Sequence, residues 1–301
     1  MRKNSENKKL NKRTTFSGIL FLIPAVIFIG YAILVPAIWN LILSFQKWDG
    51  FNAPKWVGLK NYMKCFNNST LKVAMANSLF FAIFMTVLSV LIGLVMALLI
   101  FRLGRSEGAV YRLFIFLPSM LPVAIIGLLF TFLYNPEMGL INQFLRLIGL
   151  EKLTHAWLSD LSVNKYAIGA VGIWRMAGLS MMLVYASLQS LPVTYFEAAL
   201  LDGAGYLKQV WWIILPLTKP IILLSTVYTM IINFKTYDLV FVMTRGGPGI
   251  STKTVPLYVM ETGFGYNEFG LAAAIGFVLA IVIYMIMGVI NLLLGGEKYE
   301  Y

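Results

Sequence analysis

The 301-residue chain is poor in the residue types on which most soluble chemistry depends. It holds one cysteine, Cys65, and one histidine, His155. A lone cysteine forms no internal disulfide and a lone histidine builds no metal cluster, so a disulfide scaffold and the usual transition-metal centres are excluded. Charge is scarce as well: Asp, Glu, Lys and Arg make up 12% of the chain, against roughly 25% in soluble domains. What remains is apolar. Hydrophobic residues reach 59% and the mean hydropathy is +0.79, which is the composition of a membrane protein. The net charge of +11 is dispersed between apolar runs and not gathered on one soluble module, so it points to lipid headgroups and not to nucleic acid.

Uncharged runs locate the spans. Residues 14–46, 73–101, 113–136 and 269–296 contain no Asp, Glu, Lys or Arg, and each exceeds the roughly 20 residues that cross a hydrocarbon core. A fifth run, 166–190, is interrupted by Arg175 alone; a sixth, 217–243, carries Lys219, Lys235 and Asp238. The expected fold is therefore an all-α polytopic membrane protein with six spans, at about 16–46, 75–101, 112–134, 166–190, 217–243 and 268–294, within one transmembrane domain over 16–295. Helices are required because unpaired backbone groups in lipid cost several kcal/mol each, and the runs lack the alternation of barrel strands. Pro24, Pro36, Pro118 and Pro122 are expected to kink the first and third helices.

The basic segment 1–15 and the short connection "RLGRSEGAVYR" place both in the cytoplasm by the positive-inside rule. With six spans, residues 191–216 and the tail 296–301 follow them there. The outer connections, 47–76, 135–165 and about 244–267, are long enough to hold local helices. "STLKVAMANSLFF" and "GLINQFLRLIGL" are read as short surface helices, the second with Leu140, Phe144, Leu147 and Ile148 on one face. Lys235 and Asp238, three apart, are expected to neutralise each other on one helix.

The segment "YFEAALLDGAGYLKQVWWIILPL", residues 195–217, is neither a plain polar loop nor long enough to span. Pro192 suits an early helical position, Glu197 to Asp202 favour helix, and Gly203 to Gly205 supply a break with positive φ. A second piece, "YLKQVWWIIL", is expected to run until Pro216 resets the chain. Small residues let a partner backbone approach closely, so a docking element and an ordinary re-entrant turn are both open on chemistry alone.

At these residues the sequence resembles a known family. "EAALLDGAG" followed by "ILP" at Ile214 to Pro216 is similar to the EAA loop of the membrane subunits of ABC importers, and "YFEAALLDGAG" to their sugar-transporting branch. "FLIPAVIFIGYAILVPAIWNLILSF", "WVGLKNY", "VYRLFIFLPSMLPVAI", "MGLINQFL" and "TRGGPGISTKTVPLYVMETGF" resemble further parts of that branch in the same order. The resemblance implies a transport subunit and not an enzyme, in the cell membrane, with a second homologous permease, two cytoplasmic ATPase subunits and an extracytoplasmic sugar-binding protein as partners. It implies no cofactor on this chain, ATP and Mg belonging to the ATPase. It also implies that Glu197, Ala198, Ala199, Asp202, Gly203 and Pro216 form a cytoplasmic coupling helix and its exit.

For the substrate path, the helices flanking that loop offer Trp174, Arg175, Tyr185, Asn233, Thr236 and Tyr237. Charged groups inside a span should face protein or water and not lipid, aromatic faces stack on sugar rings, and amides and hydroxyls bind sugar hydroxyls. Three alternatives stand beside an oligosaccharide importer. One is the same machine for a glycerol-phosphate-type substrate, for which Arg175 is a natural partner. Another is an ATPase-independent secondary transporter, against which the EAA segment argues. The last, an intramembrane enzyme, needs a dyad or metal triad within the spans, where Asp238 is the one clear carboxylate.

Overall fold

A computed structural model describes residues 20–103 and 105–294. The basic segment 1–15, the first residues of the first expected span and the tail 296–301 lie outside the described residues. The chain divides into two compact units, one of residues 1–66 with 262–277 and one of residues 67–261 with 278–301.

In the first unit, helix α1 (Leu20–Ser44) contains a wide π turn at Gly30–Leu34. It leads into a two-stranded antiparallel ribbon, β1 (Gln46–Lys47) and β2 (Lys55–Trp56), with Gln46 opposite Trp56. Helix α2 (Lys60–Asn67) is fixed to the end of α1 by Asn61, whose Nδ2 donates to the carbonyls of Ser44 and Gln46 at 2.9 and 2.8 Å. Cys65 is buried on α2, and burial pushes its thiol up to about 11, so it stays protonated and unreactive at neutral pH.

The second unit begins with α3 (Ser69–Phe101), a 33-residue helix. The Asn68 side chain caps it by accepting from the Leu71 N–H at 2.9 Å, which satisfies one of the free donors of the first turn. "STLKVAMANSLFF" is thus the start of a span and not a separate surface helix. The next helices are α4 (Arg105–Met120) and α5 (Val123–Leu133). The single third span expected over 112–134 is broken here, and the two helices meet at a bend of 96°. Leu121 precedes Pro122, whose ring disfavours helical geometry for the residue before it, and Pro118 has already removed one N–H from the ladder.

Helix α6 (Leu140–Leu147) matches the expected short helix, with Asn142 buried and Leu140, Phe144, Leu147 and Ile148 exposed. Helix α7 (Asn164–Gln189) packs closely on α3 and α4 through small residues. A Cβ on Gly93 of α3 would come within 2.6 Å of the Ser180 Cβ, and one on Gly178 of α7 would strike the Ile115 carbonyl oxygen. Such close backbones are how membrane helices gain packing when lipid removes the hydrophobic drive between them.

Helix α8 (Val193–Leu201) precedes α9 (Tyr206–Phe234). The expected reset at Pro216 does not occur: α9 is continuous, with a π turn at Val210–Ile214 just ahead of the proline. The wider turn accommodates a residue that has no N–H to donate. The expected span 217–243 ends instead at Phe234, where the Lys235 and Thr236 N–H groups turn back to Ile232 and Asn233. The Thr236 hydroxyl donates to the Asn233 carbonyl at 2.7 Å, offering the backbone an alternative to further helix. Helices α10 (Asp238–Thr244), α11 (Val255–Met260) and α12 (Phe269–Leu294) follow.

Among the described residues, α1, α3, α7, α9 and α12 are each long and apolar enough to cross a membrane, and α4 with α5 makes a sixth crossing if the bent pair counts as one. The fold is that of an all-α integral membrane protein.

Candidate functional site

The 193–216 segment is built from a capped helix and a re-started one. Pro192 stands at the N-cap of α8, and Asp202 at its C-cap. Gly203 then adopts φ +72°, its N–H bonding the Leu200 carbonyl at 3.0 Å, while the Ala204 N–H reaches the Ala199 carbonyl at 2.8 Å. That pair of bonds is the Schellman arrangement, which closes the free carbonyls of a helix end and strains any residue other than glycine at the left-handed position. Gly205 caps α9, and the Gln209 amide folds back onto the Ala204 carbonyl at 3.0 Å.

One face of this segment is fixed to the helices of its unit. The Phe196 ring lies 5.9 Å from that of Phe101, the Tyr206 hydroxyl donates to the Leu98 carbonyl at 2.8 Å, and the Arg102 guanidinium sits 4.7 Å above the Tyr206 ring. Leu191, Val210 and Ile214 enter a buried cluster with Ala97, Ile100, Val184 and Leu188. The other face is bare. Ala199 is buried, whereas Glu197, Ala198, Asp202, Gly203 and Pro216 are exposed, as are the apolar Leu200 and Leu201, the latter at 90%.

A second feature is a cavity of about 200 Å³ between α3, α5, α7 and the end of α9. Arg175, Asn233, Thr236 and Tyr237 all line it, so four of the six path candidates converge. The Asn233 Nδ2 donates to the Thr86 hydroxyl at 3.0 Å, which sequence gave no means of finding. Lys235 and Asp238 also line the cavity, and the pairing expected between them is absent: no ion pair joins them, because α9 ends between Asn233 and Asp238 and the two are not on one helix.

The other two candidates lie elsewhere. Trp174 faces away from the cavity, its ring 5.4 Å from Phe130, and lines a separate apolar hollow with Ile92, Met96 and Phe114. Tyr185 ties α4 to α7: its hydroxyl accepts from Arg112 Nη1 at 2.6 Å and from Gln189 Nε2 at 3.0 Å.

The cavity rim is joined to the connection that follows α10. The Thr254 hydroxyl donates to the Thr236 carbonyl at 2.8 Å, and Asn77 Nδ2 holds the same connection at the Lys253 carbonyl at 2.9 Å. The Val255 N–H donates to the Ser78 hydroxyl, and Lys253 pairs with Glu261 at 2.6 Å.

Comparison with known proteins agrees with this architecture. The chain is 35% identical over 265 residues to the probable ABC transporter permease protein YurN of Bacillus subtilis, covering 87% of this chain and 90% of that one. It is 30% identical to the diacetylchitobiose uptake system permease protein NgcF of Streptomyces coelicolor, over 96% of this chain and 85% of the relative. The fold matches a chain from the crystal structure of a bacterial ABC transporter involved in the import of the acidic polysaccharide alginate, with a TM-score of 0.81, 20% identity and coverage of 95% and 98%. Residues 89–294 match the family of binding-protein-dependent transport system inner membrane components, and the chain belongs to that family.

Proposed function

We propose that the chain is one of two related membrane subunits of an ATP-driven importer for a saccharide, and that α8 is the element through which a cytoplasmic ATPase drives it. The observation that carries this reading is the two-sided build of the 193–216 segment. Phe196 and Tyr206 hold one face to the end of α3, and Val210 and Ile214 pack it against Val184 and Leu188 of α7, while Glu197, Ala198 and Leu201 leave the other bare. An element so held can pass a displacement of its bare face into the spans. Transmission requires that ATPase state and segment orientation share a coupling free energy, typically about 1–3 kcal/mol per allosteric link.

In this reading the bare face sits in a groove of the ATPase, Glu197 gives a charged contact at its edge, and the Gly203 turn sets the angle at which α9 leaves. The segment and both termini are then cytoplasmic. The chain contributes neither ATP nor Mg ligands; two ATPase subunits supply the energy, a second homologous permease completes the path, and an extracytoplasmic binding protein delivers the substrate. The saccharide assignment draws on the diacetylchitobiose relative and on the chemistry of Asn233, Thr236 and Tyr237, which offer an amide, a hydroxyl and an aromatic face in one cavity. Proteoliposomes holding the full complex and supplied with binding protein should accumulate labelled oligosaccharide when ATP is enclosed with the ATPase. Accumulation that persists without ATP would assign the chain to an ATPase-independent transporter instead.

A further inference from the structure

The cavity at the end of α9 carries more charge than neutral hydroxyls require. Arg175, Lys235 and Asp238 line it together, which leaves one net positive charge when all three are ionised. Asp238 lines the same cavity as the Arg175 guanidinium, yet neither cation is in an ion pair with a described residue. The Arg175 Nε is buried and has no hydrogen-bond partner among the described residues. A cation held within a span with an unsatisfied donor is costly, and the cost is relieved when an acceptor of opposite charge arrives.

The surrounding geometry shows what kind of acceptor fits. A guanidinium offers a planar fork of donors that matches carboxylate and phosphate oxygens, and lysine adds a mobile point charge. The early end of α9 is what brings Lys235 to the rim: Asn233, two residues earlier, is buried against Thr86, while Lys235 stands at the C-cap and is exposed. Resting on the reading of this cavity as part of a saccharide path, we propose that it takes an anionic saccharide, with Arg175 and Lys235 holding the acidic group and Asn233, Thr236 and Tyr237 meeting the ring. Asp238 keeps the site from being strongly cationic, which suits a path whose occupant must leave as well as enter.

The assembled importer, solubilised without its binding protein, is titrated calorimetrically with trigalacturonate, with the uncharged methyl ester of the same trisaccharide, and with galactose 6-phosphate against galactose. At low salt the acidic member of at least one pair should bind about tenfold tighter than its neutral counterpart, the preference should shrink with added salt, and it should fall to about twofold in Arg175→Gln. The pair that discriminates shows whether the acidic group is a carboxylate or a phosphate. Lys235→Gln, at an exposed helix end, should lower the preference in the same direction and carries the test if Arg175→Gln does not assemble. Neutral ligands bound as tightly as both acidic ones, or an acid preference unchanged in the variants, overturns the proposal and leaves the saccharide reading intact. Failure of every saccharide, acidic and neutral, overturns both.

Discussion

Asn233 of α9 donates to the hydroxyl of Thr86 on α3 across 3.0 Å, and both residues are buried. One side chain therefore joins two spans and lines the cavity at once. Interhelical hydrogen bonds in membranes average only about 0.6 kcal/mol, too little to undo the assembly. Asn233→Ala is expected to leave the protein folded and co-purifying with its partners while lowering uptake several-fold. Thr86→Ala removes the same bond without touching the cavity lining and should have the smaller effect. Undiminished uptake in Asn233→Ala would remove the residue from the path.

Gly178 offers a test of the helix packing. Its missing Cβ stands against the Ile115 carbonyl and, at 2.9 Å, the Phe116 Cα, which are backbone atoms that cannot swing aside. Gly178→Val should cost about 1–3 kcal/mol as overpacking and lower the thermal midpoint in detergent. Gly276→Ala, where nothing lies within 4 Å of the added carbon, should leave the midpoint unchanged. Equal midpoints for both variants would contradict the close approach of α4 and α7.

Tyr206 anchors the start of α9 by two separable contacts, its hydroxyl on the Leu98 carbonyl and its ring beneath Arg102. Tyr206→Phe deletes the first and keeps the second. Hydrogen exchange over residues 203–210 should quicken while the spans remain protected, and uptake per ATP hydrolysed should fall. Unchanged exchange there would mean that the ring contact alone holds the segment.

The spans were legible because an uncharged run of more than about 20 residues has few other fates. Their ends were not, because tertiary contacts set them. Helix α3 starts at Ser69 because Asn68 caps it, and Asn77 and Ser78, within the stretch read as a short surface helix, bind the 250–255 connection inside the unit. Helix α9 stops at Phe234 although the apolar run continues, and the Thr254 hydroxyl bonded to the Thr236 carbonyl comes from 18 residues further on. The prolines in "FLPSMLP" announced a distortion, but not a 96° turn.

Within the site, Gly203 was readable because its positive φ admits few other residues. The convergence of Arg175 with Asn233, Thr236 and Tyr237 followed from choosing the two helices that flank the segment. Trp174 failed to join them because neighbouring residues on a helix point about 100° apart, so it cannot share the direction of Arg175. Tyr185 lies ten positions beyond Arg175, about 15 Å along the axis, where it meets Arg112 instead.

The most direct test of the central claim measures ATP hydrolysis and oligosaccharide uptake together in proteoliposomes containing Glu197→Lys or Gly203→Asp. Both residues are exposed and lie outside the spans, so the spans should stay folded. The account predicts that uptake is lost in each variant while the ATPase still turns over, no longer answering to the loaded binding protein. Normal uptake in both variants would contradict it.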